Sequence, residues 1–135
     1  MVDWSLLYSP FAARLTELVA ALKTAHLSLV GTSGYRSPAE QATLYAQGRT
    51  RPGKVVTNAR ACQSPHNWGC AVDFAFRRGA SITWDGDWHA FGAVVRGVPD
   101  LRWGGDFSGF LDRPHVELAA WRAVRAAKWR PRMDG

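Results

Sequence analysis

Three short segments of this chain gather residue types used in hydrolytic chemistry: Ser64-Pro65-His66-Asn67-Trp68-Gly69-Cys70-Ala71-Val72-Asp73, then Asp112-Arg113-Pro114-His115, and Gly34-Tyr35-Arg36-Ser37. A catalytic zinc ion takes three protein ligands from His and Asp or Glu and leaves a fourth position open. His66, Asp73 and His115 supply such a set. A metal-activated water then needs a base, and Asp112, three residues before His115, is the nearest candidate. Pro114 opposes a helix shared by Asp112 and His115, so the two would meet across a turn. Glu117 falls on the same strand face as His115, as a rival base or as an acceptor for an imidazole N–H. Each residue also has a plainer reading. Asp73 alone is a hydrogen-bonded acid, Asp112 alone a cap, and a single His a satisfied polar residue, the role assigned here to His26 and His89. The residue types leave both readings open, and only the joint spacing favours the metal.

The elements that must position these residues are legible in outline. From Ser9 to Leu27, Phe11, Leu15, Leu18, Val19 and Leu22 recur at helical spacing, with Pro10 in the first turn and Ser9 as the cap. Leu27 to Val30 reads as a short strand. Ser37-Pro38-Ala39-Glu40 opens a second helix that ends near Gly48. Residues 49–69 are mostly loop, and so long an irregular stretch in a small domain predicts a functional loop. Cys70 to Phe76 is the clearest strand: Cys70, Val72, Phe74 and Phe76 take one face, and Ala71, Asp73 and Ala75 the other. Trp88 to Val95 has a helical pattern, and Leu101 to Trp103 and His115 to Leu118 read as strands. An Ala-rich helix from about Ala119 to Trp129 closes the chain. Helices and strands mix without βαβ alternation, which predicts an α+β fold, a small antiparallel sheet with helices packed against it. Residues 1–135 read as one domain.

Composition narrows the function classes. The chain has 135 residues, 47% of them hydrophobic, enough for a core without disulfide staples. It shows no heptads or longer repeats, no apolar run of the ~18–20 residues that a membrane span needs, and no secretory signal pattern. The formal charge is +6, and 14 of the 17 cations are Arg. Such a balance suits polyanions: nucleic acid, anionic lipid or envelope polymers. Nucleic-acid binding would rest on charge alone, since no helix-turn-helix, finger spacing or RNP-like strand supports it. The C-terminal helix places Trp121, Val124 and Ala127/Lys128 along one side, with Arg122, Arg125, Arg130 and Arg132 adding charge, a pattern suited to an anionic envelope surface. Nothing in the sequence demands more than a monomer.

S-x-H-x-x-G-x-A-x-D, followed some forty residues later by W-G-G-D-F and D-x-P-H-x-E, resembles the zinc peptidases of the hedgehog/D-Ala-D-Ala-peptidase fold. Within them the chain is most similar to the L-alanyl-D-glutamate endopeptidases of phage endolysins. The likeness runs from about Gly34 to Leu118 and takes in G-Y-R-S, Y-x-Q-G-R (Tyr45 to Arg49) and V-T-N-A (Val56 to Ala59). It implies His66, Asp73 and His115 as ligands of Zn²⁺, Asp112 as general base and acid, and Arg36 as the group facing the oxyanion. Ser64 and Asp106 match positions that support the site from behind. The implied substrate is the peptidoglycan stem peptide, cut at L-Ala–D-Glu. A chain made in a bacterial host's cytoplasm would reach that substrate after release. Two alternatives remain at this point: a D,D-carboxypeptidase or dipeptidase on D-Ala-D-Ala, and a non-catalytic zinc-bearing wall-binding module. Cys62 and Cys70 depart from the family pattern. Cys70 reads as a core-facing strand residue, with a disulfide to Cys62 as the alternative.

Overall fold

The structure, a computed structural model, describes residues 2–132. Helix α1 (Ser9–Thr24) buries Phe11, Leu15, Leu18 and Leu22, one stripe at i, i+4, i+7 and i+11. Val19, assigned to that stripe by spacing, is 45% exposed on its edge. Tyr8, rather than Ser9, is the cap residue, and Ser9 is already helical. The helix stops three residues before Leu27 because His26 adopts a left-handed conformation (φ 58°) and Leu27 N–H returns to the Leu22 carbonyl. Strand β1 (Leu29–Ser33) follows.

Helix α2 (Pro38–Ala46) begins with a complete capping box, Ser37 Oγ accepting from Glu40 N and Glu40 Oε1 from Ser37 N. The long loop after it ends in a 3₁₀ turn, Pro65–Trp68. The sequence pattern places Pro65 and Gly69 against helix here; in fact they bracket a single turn, Pro65 at its start and Gly69 (φ 65°) closing it.

Strand β2 (Ala71–Arg78) forms the spine of the sheet. It pairs antiparallel with β1, with β5 (His115–Leu118) and, at its far end, with β3 (Ser81–Thr83), a strand that the sequence pattern does not reveal. Strand β4 (Leu101–Trp103) pairs antiparallel with β5, giving the order β1-β2-β5-β4. Helix α3 (Trp88–Arg96) precedes β4.

One face of the sheet carries Val72, Phe74, Phe76, Val116 and Leu118 and packs against Phe11, Leu15, Leu18, Phe91 and Val95 in one core cluster. Period 2 sends Asp73, His115 and Glu117 to the other face. Register does the rest: Ser33 pairs with Asp73, Asp73 with His115, and Ala71 with Glu117 beside Arg102. No described helix is long and apolar enough to cross a membrane.

The C-terminal helix α4 (Trp121–Ala126) is shorter than its Ala-rich sequence suggests. Lys128 (φ 56°) ends it as His26 ends α1, with Trp129 N–H returning to the Val124 carbonyl. Trp121 and Val124 are buried in the core, which leaves no free apolar stripe for a lipid surface. Both cysteines are free thiols: Cys70 is fully buried on the core face, and burial pushes its thiol up to about 12, an inert form.

Gly69 is a tight joint in this arrangement. A Cβ there would lie 2.8 Å from Tyr8 N and 2.9 Å from the Leu6 carbonyl oxygen, in a left-handed conformation as well. Gly69→Ala is expected to destabilise the protein by about 2–5 kcal/mol, the sum of the left-handed penalty and overpacking. Thermal unfolding checks this; an unchanged melting temperature would contradict the packing described.

Candidate metal centre and active-site cleft

His66 is presented by its 3₁₀ turn. Ser64 Oγ accepts from His66 N at 3.2 Å, and Asn67 Oδ1 accepts from Ser64 N at 3.1 Å. The turn is fastened to the Gly34–Ser37 segment: Arg36 N donates to the His66 carbonyl at 3.0 Å, and Asn67 Nδ2 to the Arg36 carbonyl at 2.9 Å. Two motifs far apart in sequence are thus one backbone unit.

The imidazole tautomers follow from what each ring faces. His66 Nδ1 lies 2.8 Å from the Gly34 carbonyl oxygen, an acceptor only, so Nδ1 carries the proton and Nε2 keeps its lone pair. His115 Nε2 lies 2.7 Å from Glu117 Oε1, which turns Nδ1 of that ring inward. His66 Nε2 is 3.4 Å from Asp73 Oδ2, and His115 Nδ1 is 3.2 Å from Asp73 Oδ1. The three ligating atoms all lie within 4.8 Å of one another. Two inward lone pairs and a carboxylate are acceptors without a shared proton, and a divalent cation satisfies all three. The residues fit zinc.

Without a cation, protons take that role. Burial disfavours a charged His115 most strongly, but hydrogen bonds to Asp73 and Glu117 outweigh it and hold the ring's pKa at about 9. Burial likewise opposes ionised Asp73, yet its bonds to His115 and His66 bring it well below the ordinary carboxylate range. Asp112 moves the other way: burial, with the Asp73 charge, raises it against the pull of His115, His66 and Arg36.

Asp112 and His115 do meet across a turn, His115 N donating to the Asp112 carbonyl at 3.1 Å, and Asp112 Oδ2 lies 3.9 Å from His115 Nδ1. Asp112 N donates to the Gly104 carbonyl, and a side chain at position 104 would collide with the Asp112 backbone. The W-G-G-D segment therefore needs its first glycine to seat the acid.

Arg36 lines the same cleft, of about 550 Å³. Its Nη1 donates to Gln41 Oε1 at 2.9 Å and its Nη2 to Ser33 Oγ at 3.3 Å. Burial lowers the guanidinium's pKa, offset in part by Asp73, Glu40 and Asp112. Gln41, fully buried, also donates to the Ala59 carbonyl at 2.9 Å, tying Arg36 to the loop that lines the cleft. Arg49, stacked 3.8 Å over Tyr45, donates to the Thr57 carbonyl and to Asn58 and pins that loop from outside.

The structure thus gathers His66, Asp73, His115, Asp112, Arg36, Glu117 and Ser64 around one cleft. It does not bring Asp106 there. That carboxylate is held by Arg96 of α3 at 2.6 Å on the surface, because the 3₁₀ turn Gly104–Asp106 aims it outward. Glu117 is 6% exposed and engaged with His115, which suits an acceptor that orients a ring better than a base. The sequence reading passes over Gln41, Ser33 and Asn67; the capping-box form of Ser64 and Asn67 is the one local signal among them.

Residues 5–91 match the profile of the VanY family, described as D-alanyl-D-alanine carboxypeptidase. The chain belongs to this family. The matched segment contains Arg36, His66 and Asp73 and ends before Asp112 and His115, whose placement rests on the geometry above. The peptidoglycan L-alanyl-D-glutamate endopeptidase CwlK of Bacillus subtilis (strain 168) is 39% identical over 112 residues, 75% of this chain and 66% of that protein. The L-alanyl-D-glutamate peptidase of Listeria phage A118 is 30% identical over 120 residues, 82% of this chain and 41% of that protein. The chain therefore spans just under two-thirds of the first relative and less than half of the second. Among solved structures, the Serratia marcescens L-Ala D-Glu endopeptidase ChiX superposes with a TM-score of 0.64 at 21% identity, covering 90% of this chain and 87% of that one. The vancomycin resistance D,D-pentapeptidase VanY, in complex with Zn(II), gives 0.61 at 16% identity, covering 89% and 76%. These likenesses establish the fold as that of the D,D-peptidases.

The proton on His115 gives the metal-free protein a pH signature. A His whose pKa is raised from 6.5 to about 9 contributes stability that is complete below 6.5 and lost as pH rises through 9. Zinc must displace that proton, so its affinity is expected to rise over the same window. Melting of chelator-treated protein from pH 6 to 10, with and without zinc, reads both trends. Flat behaviour in both series would contradict the assigned contacts.

Proposed function

We propose that this chain is a zinc peptidase that cuts the stem peptide of bacterial peptidoglycan at the L-Ala–D-Glu bond. One observation carries the reading: the inward lone pairs of His66 and His115 and the Asp73 carboxylate converge beside Asp112 and Arg36 in an open cleft. When bound by those three residues, zinc supplies Lewis acidity toward water and toward a carbonyl oxygen. Asp112 takes up the proton of the attacking water and delivers one to the leaving amine; its raised pKa suits a group that must hold a proton partway through. Arg36, steadied by Gln41 and Ser33, faces the negative charge that develops on the carbonyl oxygen. Glu117 keeps the His115 proton on Nε2.

Two relatives named as L-alanyl-D-glutamate peptidases support the choice of bond. The family description favours a second reading, removal of terminal D-Ala. A non-catalytic binding module has no use for Asp112 and Arg36 beside the ligands. The reading places the action at the cell wall, reached after release. Contact with an anionic envelope through Arg122, Arg125, Arg130 and Arg132 belongs to the same proposal, carried by charge alone now that Trp121 and Val124 are buried.

A digest of purified peptidoglycan by the zinc-loaded protein, read by mass spectrometry, is expected to expose free D-Glu amino termini. Release of D-Ala with the L-Ala–D-Glu bond intact would overturn the reading in favour of the second. In the same assay Asp112→Asn should keep its zinc and lose roughly 10²–10⁴-fold in rate, and Glu117→Gln much less. The reverse order would reassign the base.

A further inference from the structure

Trp121 opens α4, lines the cleft and is 4% exposed. Its indole N–H is the one buried side-chain polar group without a hydrogen-bond partner among the described residues. Other tryptophans here are satisfied: Trp68 Nε1 donates to the Cys62 carbonyl at 3.0 Å, Trp88 Nε1 to the Trp84 carbonyl at 2.9 Å, and Trp103 Nε1 to the Arg113 carbonyl at 2.7 Å. Buried indole donors ordinarily find an acceptor, so one kept unpaired at a cleft wall points to an acceptor brought by the ligand.

The charge around it says what kind of acceptor. Arg122, exposed, lies 4.6 Å from the Trp121 ring centroid, and both Arg122 and Arg102 line the cleft. Glu117, the acid nearest in sequence, is already engaged by His115 at 2.7 Å and by Arg102 at 3.7 Å. Those two contacts set Arg102 beside His115, in the same cleft that Trp121 and Arg122 line.

We infer that Trp121 Nε1–H and the Arg122 guanidinium form a subsite for a substrate carboxylate. The inference rests on the stem-peptide reading and refines it. A D-Glu residue that carries the chain onward through one carboxyl keeps the other free, and that free carboxylate is the group this subsite takes. An amide in its place gives up the charge and keeps one acceptor oxygen for two donors, leaving its NH2 facing the other donor, so the pair selects the acid over the amide.

The test uses the zinc-loaded full chain and two acetyl-L-Ala-D-Glu peptides with the γ-carboxyl amide-linked, the α-carboxyl free in one and amidated in the other. The wild type should prefer the acid. Trp121→Phe and Arg122→Gln should each lower kcat/KM on the acid by about 10- to 100-fold, the size of a hydrogen bond to a charged group, mainly through KM, with little change on the amide. The Trp121 indole N–H resonance should shift when the D-Glu product peptide is added and not when its amide is. Melting curves separate lost contact from lost fold in Trp121→Phe, and Arg122→Gln stands as an independent arm. An acid preference unchanged in both variants, or a wild type that treats the peptides alike, overturns the subsite and leaves the stem-peptide reading intact. A wild type that leaves the L-Ala–D-Glu bond whole in both peptides overturns the reading and the subsite with it.

Discussion

The antiparallel pairing of β2 with β5 sets Asp73 opposite His115, and nearly everything else at the site hangs on that register. Side chains alternate across a strand, so a slip by one residue would send Asp73, His115 and Glu117 into the core and bring Val72 and Val116 to the cleft. The core forbids that slip: Val72 and Val116 are fully buried against α1 and α3. The hydrophobic face of the sheet thereby fixes the ligand geometry on the other face. The candidate metal ligands from the sheet, Asp73 and His115, inherit the precision of a packed core.

A second constraint is electrostatic. His115 sits between two carboxylates at 3.2 and 2.7 Å, at a site only 7% exposed. Such a triad needs a positive centre, which a proton or a metal ion supplies. Glu117 carries out two tasks at once, setting the tautomer of His115 and drawing Arg102 toward the cleft. Through Glu117 the candidate ligand His115 is linked to Arg102, and the same cleft is lined by Arg122 and by Trp121 with its unpaired indole.

Much of this was legible in the sequence because the signals are local. The alternation from Cys70 to Phe76 put Asp73 on the open face, the Ser37–Glu40 capping box marked the start of α2, and Pro114 forced Asp112 and His115 into a turn. What escaped depends on contacts distant in the chain. Gln41 has an ordinary place on a helix until the fold sets it against Arg36 and Ala59. Asp106 sits in a promising motif, and only the packing of α3 reveals that Arg96 claims it. Helices α1 and α4 end early at His26 and Lys128, residues that take a left-handed turn where the pattern offers no glycine.

The central claim is that His66 and His115 meet one ion through different ring nitrogens, Nε2 and Nδ1, because Gly34 and Glu117 hold the others. Anomalous diffraction at the zinc edge, on crystals grown with zinc, tests it most directly. The account predicts a single strong peak in the cleft within ligand distance of His66 Nε2, His115 Nδ1 and an Asp73 carboxylate oxygen. A peak elsewhere, or coordination through His115 Nε2 with Glu117 displaced, would contradict it.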